Sequence, residues 1–163
     1  MKYKFIPHTA DAKFQAFGKD LGEAFANAAI AMTSVMVDVK KIEANIKKKI
    51  SIESESKEAL LYDFLEQFLI LLDSNQFILK EVKKIKITQT RNSGLRDRKI
   101  MGDVSKSNFS ITKGKTYKLE AEAVGDKFSN KYETMTLVKA VTYNDMFIKE
   151  EKEKVTVQVV IDV

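Results

Sequence analysis

The sequence contains no cysteine, no tryptophan, one proline and six glycines among 163 residues. The lack of cysteine excludes disulfides, thiolate metal sites and cysteine nucleophiles, and it is compatible with a reducing compartment. With a single proline and few glycines, no segment has the composition of a linker, so we expect one domain, residues 1–163. A chain of this length can bury enough apolar surface to fold without a disulfide or a structural metal.

Long apolar runs are also missing. No run approaches the roughly 18 residues that span a bilayer, and the first ten residues, MKYKFIPHTA, lack the apolar stretch of a secretory signal. We therefore expect a soluble, cytoplasmic protein that does not contact a membrane. The 28 basic and 23 acidic residues give a net charge of +5. This charge suits contact with RNA or an acidic protein, but a lysine-rich surface can also serve solubility alone.

Common catalytic and nucleotide-binding patterns are absent, including GxxxxGK[ST], GxGxxG, HExxH and GxSxG. Because His8 is the single histidine, a Ser-His-Asp triad would have to use it. The acidic residues form no obvious catalytic pair. With tryptophan absent and the tyrosines scattered, no stacking platform for single-stranded nucleic acid is evident.

Apolar periodicity predicts two helices among several strands. Asp20, followed by Glu23 three residues later, has the spacing of a helix start, and Ser54 or Ser56 can cap a second helix. The apolar stripe after the first start is Leu21, Phe25, Ala28, Met32, Val35 and Met36; the second is Leu61, Phe64, Leu65, Phe68, Leu69 and Leu72. The predicted strands are residues 3–6, 12–17, 46–52, 77–80, 84–89, 115–124, 136–148 and 154–163.

These strands outnumber the helices and do not alternate with them regularly. The order predicts an α+β fold, in which two helices pack on a mostly antiparallel sheet. The segment from Arg91 to Lys113 is polar and contains two glycines. We expect a long hairpin or a mobile loop there.

Residues 7–11, PHTAD, lie between the first two predicted strands. His8 and Asp11, three residues apart in a turn, could share a metal ion or a proton. Aspartate and histidine are common in turns, however. In the simpler interpretation Asp11 accepts hydrogen bonds from nearby backbone N–H groups and His8 is an ordinary polar residue.

The last predicted strand offers a second candidate site. Asp162 precedes Val163, so carboxylate oxygens are concentrated where Ca²⁺, Mg²⁺ or Mn²⁺ could bind. The alternative is a solvated chain end. One face of this strand is predicted to carry Val155, Val157, Val159 and Ile161, and the other Thr156, Gln158, Val160 and Asp162.

A third candidate is the alternating segment 138–145, VKAVTYND. Its polar groups are Lys139, Thr142 and Asn144. Lys139 could hold a phosphate or the carboxylate of a partner. The same residues would equally suit a sheet face turned to solvent.

Three segments in combination resemble the archease family. They are HTAD at 8–11 followed by FQAFGKDLGEAFANAAIAM, EAVGDKF leading into VKAVTYND, and the VVID ending. The predicted helix in ALLYDFLEQFLILLDSNQFI is also similar to the second helix of that family. The resemblance covers nearly the whole chain and is weakest from Arg91 to Lys113.

The resemblance implies an accessory protein with an α+β fold rather than an enzyme. Archeases are partners of the RtcB-type tRNA-splicing RNA ligase, which they help to become guanylylated and to sustain multiple turnover. Some were proposed as chaperones of a tRNA cytosine methyltransferase. Two other hypotheses stay open: an RNA-binding module that contacts tRNA, and a metal-dependent phosphohydrolase that uses the same carboxylates.

The resemblance also implies site residues. A divalent metal ion (Ca²⁺, Mn²⁺ or Mg²⁺) would be held by Asp11, Asp162 and a main-chain or terminal oxygen of Val163. Lys139 would contact a partner or a phosphate, and His8 would either orient Asp11 or only hold the turn. Asn144 stands where the family commonly has histidine, and an amide cannot shuttle a proton near neutral pH.

Overall fold

The computed structural model describes residues 1–91 and 114–163. In these two ranges the strands are antiparallel and two α-helices are present, which confirms the predicted α+β class. The hairpin or mobile loop expected from Arg91 to Lys113 lies outside the described residues, apart from Arg91 itself. The elements are β1 (Tyr3–Ile6), β2 (Ala12–Gly18), α1 (Leu21–Met36), a 3₁₀ turn (Val39–Lys41), β3 (Ile46–Ser54), α2 (Lys57–Asn75), β4 (Phe77–Arg91), β5 (Lys115–Lys127), β6 (Ala140–Glu151) and β7 (Lys154–Asp162).

The strands divide into two sheets rather than one. The sheet with order β1-β2-β7-β6, here called the terminal sheet, joins the first two strands to the last two, and the middle sheet has the order β3-β5-β4. Each helix packs against strands of both sheets. The core between them includes Phe14, Phe25, Phe64, Leu119 and Val159, one from each of five elements.

Both helices begin at capping residues. The Asp20 carboxylate accepts from the Glu23 N–H at 2.8 Å, and the Glu23 carboxylate accepts from the Lys19 N–H at 2.6 Å. Ser56, one of the two predicted candidates, caps α2 by accepting from the Ala59 N–H at 3.0 Å. These bonds satisfy N–H groups that have no partner within the helix.

Two strand predictions need correction. The predicted strands 77–80 and 84–89 form one strand, β4, because a register shift and the positive φ of 53° at Lys84 interrupt its alternation without ending its pairing. The strand predicted at 136–148 begins only at Ala140. It carries a bulge in which residues 143–146 stand opposite Val159, and Asp145 there has a φ of 52°.

β7 lies inside the terminal sheet, between β2 and β6. Residues on both of its faces are buried, including Thr156, Gln158 and Val160. Asp162 and Val163 are half-buried. Within the described part of the chain, no helix is both long enough and apolar enough to cross a bilayer.

Candidate functional site

The pairing of β2 with β7 brings the two candidate aspartates to facing positions. Ala12 pairs with Ile161; Asp11 directly precedes Ala12, and Asp162 directly follows Ile161. Facing residues on antiparallel strands have Cβ atoms about 4.5–5.5 Å apart. Since Ala12 and Ile161 pack toward the core, strand alternation directs both aspartates to the opposite side of the sheet.

The carboxylates of Asp11 and Asp162 are not committed to other protein groups. Both residues are half-buried, and no hydrogen bond or ion pair within residues 1–91 and 114–163 engages either side chain. The main chain of Asp162 is fixed, since its carbonyl accepts from the Lys139 N–H at 2.8 Å. The simpler interpretation, in which Asp11 caps its turn, has no supporting bond among these residues.

His8 lies in the turn that joins β1 to β2, three residues before Asp11. It is half-buried, and its Nδ1 is a fully buried atom without a hydrogen-bond partner in the described residues. Ala10 in the same turn has a φ of 69°, a left-handed conformation that costs a non-glycine residue energy. Buried polar atoms of native proteins are generally bound to protein groups, water or an ion, so this unpaired ring nitrogen is an exception among the described residues.

The donor set suits an open cation site. No group of three or more histidine, aspartate or glutamate side chains among the described residues is placed to hold a metal ion. Asp11 and Asp162 therefore offer two carboxylate ligands, and His8 does not join them as a third ligand. A hard cation such as Ca²⁺ takes about six to eight oxygen ligands. Main-chain oxygens such as that of Val163, waters or groups of a partner would have to complete the shell.

The other two predicted site residues are Lys139, which lies near Asp162, and Asn144, which lies farther along β6. Lys139 is exposed and adjacent to Asp162 through the backbone hydrogen bond. Asn144 is exposed in the bulge of β6, several positions from the Ala140–Asp162 pair. The bulge itself was not predicted from the sequence. The bulge contains Asp145, whose carboxylate lies 3.4 Å from the Lys13 ammonium.

A second polar cluster anchors the connection from β5 to β6. The Tyr132 hydroxyl donates to the Asp126 carboxylate at 2.5 Å and accepts from the Glu43 N–H at 3.1 Å. Asn45 donates to both carboxylates, and the Lys131 ammonium lies 2.6 Å from Glu43. These bonds join residues before β3 to the chain that leads toward Lys139. Sequence reasoning missed the cluster because its members are up to 89 positions apart.

The cluster shifts the acidity of its members. The hydrogen bond from Tyr132 holds the pKa of Asp126 below its ordinary value, and the hydrogen bond from Lys131 lowers the pKa of Glu43. Burial, with the hydrogen bond to Asp126, raises the pKa of the Tyr132 hydroxyl. Both carboxylates are therefore charged and the phenol is neutral near neutral pH, which is the arrangement that these hydrogen bonds favour.

Comparison with known proteins identifies the family. Residues 3–163 match the model of the Archease protein family. The chain belongs to the archease family. Curated archeases of similar length include those of Methanosarcina barkeri, 33% identical over 99% of this chain and 96% of the relative, and Methanothermobacter thermautotrophicus, 34% identical over 98% and 97%. The archease of Thermococcus kodakarensis is 35% identical over 91% of this chain and 89% of the relative.

Solved structures support the fold. The solution structure of Methanobacterium thermoautotrophicum protein 1598 is 30% identical, with a TM-score of 0.71, and the match covers 99% of both chains. The crystal structure of a Thermotoga maritima archease, described as a possible chaperone, is 19% identical with a TM-score of 0.55 and covers 98% of this chain and 96% of that one. At that identity the Thermotoga structure shows a shared fold only.

Proposed function

We propose that this archease-family protein is a metal-binding accessory protein that activates a tRNA-splicing RNA ligase. The observation that supports the proposal is the strand register that ends at the Ala12–Ile161 pair, which Asp11 directly precedes and Asp162 directly follows, with both carboxylates free of other described partners. Its role is to promote guanylylation of the ligase and to sustain multiple turnover. Family membership supports an accessory role, although the names of the relatives do not mention a ligase or a metal.

The chain's own residues supply an incomplete oxygen shell at one end of the terminal sheet. Asp11, directly before β2, and Asp162, at the end of β7, would contribute carboxylates, and Val163 would contribute a main-chain oxygen. The hydrogen bond from Lys139 to the Asp162 carbonyl holds that strand end in place. Two carboxylates so close would repel each other unless a cation neutralises them. A bound divalent ion supplies charge stabilisation at a phosphoryl group.

An accessory role fits this donor set better than independent catalysis. The single histidine is not part of a three-residue metal-binding cluster with the aspartates in the described part of the chain, so these side chains do not by themselves form a complete metal centre. An incomplete shell instead leaves positions for groups of a partner. The end of the terminal sheet that carries Asp11 and Asp162 is half-buried but not enclosed, so it can approach the active site of another protein.

The direct test measures guanylylation of a tRNA-splicing RNA ligase with radiolabelled GTP and Mn²⁺, in the presence and absence of this protein. Asp11→Asn and Asp162→Asn keep the shape of each side chain but remove its charge. Because each deletes one of two anionic ligands, we expect either substitution to lower the stimulated rate about tenfold or more.

Asp38→Asn is the matched control. Asp38 caps the 3₁₀ turn by accepting from the Lys40 N–H at 3.1 Å, and asparagine caps equally well, so stimulation should be unchanged. Stimulation that is absent with the wild-type protein, or equal for wild type and Asp11→Asn, would refute the proposal. Turnover of a phosphoester by the purified protein alone would favour the phosphohydrolase, and suppressed aggregation of a tRNA methyltransferase without any effect on the ligase would favour a chaperone.

A further inference from the structure

The terminal sheet has one face that the helices do not use. On β2 and β7, Phe14, Ala16, Val157 and Val159 belong to the core, whereas the residues between them point to the other side. Both described helices pack on the core side. On the other side, here called the outer face, an open groove of about 730 Å³ crosses β2, β7 and β6.

Two phenylalanines lie on this outer face. Phe17 pairs with Thr156, and Phe147 pairs with Gln158 on the opposite flank of β7. Both line the groove, and Phe147 is 37% exposed. Strand spacing places them roughly 10–12 Å apart. Sequence reasoning found no stacking platform because these residues are distant in the chain, and only the pairing of β2 and β6 with β7 brings them together.

Basic side chains surround the same groove. Lys4, Lys149 and Lys154 line it, against one acidic residue, Glu151. The ammonium groups of Lys154 and Lys4 lie 4.9 Å and 5.8 Å from the centre of the Phe17 ring. Both ammonium groups lie over the ring. Because lysine side chains are flexible, these cations can leave the ring for flanking phosphates while a base stacks on the ring face.

We propose that the outer face of the terminal sheet binds single-stranded nucleic acid. Bases stack on Phe147 and Phe17, and phosphates contact Lys4, Lys149 and Lys154. Because the two rings are farther apart than the roughly 3.4 Å step of a stacked strand, the face suits splayed bases and not a duplex. This inference goes beyond the proposed function and requires neither a metal nor a ligase.

The outer face of the middle sheet provides the contrast. Its lysines lie beside acids. Lys47 on β3 pairs with Glu122 on β5 at 3.9 Å, and Lys118 pairs with Glu120 along β5 at 3.3 Å. Paired charges of this kind give a solvated surface with little net attraction for phosphates. The outer face of the terminal sheet holds one such pair in its groove, Lys149 with Glu151 at 3.6 Å. Lys4 and Lys154 differ, because they lie over the Phe17 ring and pair with no carboxylate among the described residues.

The test is fluorescence anisotropy with labelled single-stranded RNA, single-stranded DNA and duplex of the same sequence, each about 12 nucleotides long. We expect both single strands to bind more tightly than the duplex. Three phosphate contacts predict that log K falls with log salt with a slope of about −2, since each contact contributes about −0.7.

Phe147→Leu removes the stacking ring but keeps apolar volume, and it should weaken binding about tenfold. Lys149→Ala should reduce the slope by about 0.7.

Phe5→Leu and Lys49→Ala are matched controls. Phe5 is 48% exposed but packs edge-on against Phe14 on the core side of the sheet, and Lys49 is exposed on the middle sheet. Neither substitution should change the affinity. Undetectable binding at low salt, equal affinity for duplex, or equal effects of Lys49→Ala and Lys149→Ala would overturn the proposal. Circular dichroism of each variant establishes that the fold is retained.

Discussion

Asp126 is a buried carboxylate whose charge depends on its neighbours. Its side chain receives hydrogen bonds from Tyr132 and Asn45, and the Lys131 ammonium lies 3.7 Å away. These contacts hold its pKa below the ordinary value of 3.8. A group whose pKa is lowered by folding stabilises the folded state above its unfolded-state pKa. That contribution is lost as the pH falls through the folded-state pKa.

We therefore predict that Asp126→Asn lowers the Tm by several degrees near neutral pH, because asparagine replaces a charged acceptor with a weaker one. The difference from wild type should narrow as the pH drops below about 4 and the wild-type carboxylate becomes protonated. Thermal unfolding followed by circular dichroism from about pH 7 to pH 2 measures this difference. A gap that stays constant over that range would show that the charge of Asp126 does not contribute to stability.

On β5, Gly125 marks a close approach to the backbone of β4. A Cβ at this position would overlap with the backbone carbonyl of Ile78 on β4. The close approach occurs just before the register shift between Leu79 and Glu81. A β-bulge turns the strand locally, and glycine lets the two backbones approach at that turn.

We predict that Gly125→Ala destabilises the protein by about 1–3 kcal/mol, because the backbone of β4 must move to accept the methyl group. Urea unfolding measures the loss. Gly22→Ala is the comparison, since a Cβ there would lie 3.1 Å from a side-chain methyl of Ile85, which can adjust. That change should stay within about 1 kcal/mol of wild type, as alanine also favours the helix. Equal losses for both variants would rule out the close approach as the cause.

At the scale of the whole molecule, the candidate cation site exists only when β2 and β7 are paired. Asp11 and Asp162 are separated by most of the chain, and the β2–β7 register brings their neighbours Ala12 and Ile161 together. An ion held by both carboxylates would bind the folded state and not the unfolded chain. Binding of that kind stabilises a protein by mass action.

We predict that Ca²⁺ or Mn²⁺ at about 100 times its dissociation constant raises the Tm by about 5–10 °C, from a linkage free energy of about 2.7 kcal/mol. Chelation should reverse the shift. Asp11→Asn and Asp162→Asn should each abolish most of the shift, whereas Asp38→Asn should retain it. Differential scanning calorimetry with and without the ion measures these shifts. An equal rise in Tm for the wild type and all three variants would show that the ion binds at a site other than Asp11 and Asp162.

Much of the local structure was predictable because the signals are short-range. The Asp20 and Ser56 caps, the buried stripes of both helices and the first strand, Tyr3–Ile6, follow from residue spacing within a few positions. The bulge of β6 was not predictable, because it depends on how four residues fit opposite Val159. The division of the strands into two sheets was missed for a similar reason, since hydrophobic alternation does not specify the neighbour of a strand.

By itself, the sequence determined which residues could carry chemistry and which elements could form, because composition, capping and periodicity act over a few residues. Only the tertiary structure decided which distant residues meet. Antiparallel pairing around β7 joined Ala12 to Ile161, the neighbours of Asp11 and Asp162, and gathered Phe17 and Phe147 on one face. Those neighbours are set by strand register, which is selected by burial of a shared core rather than by any local motif.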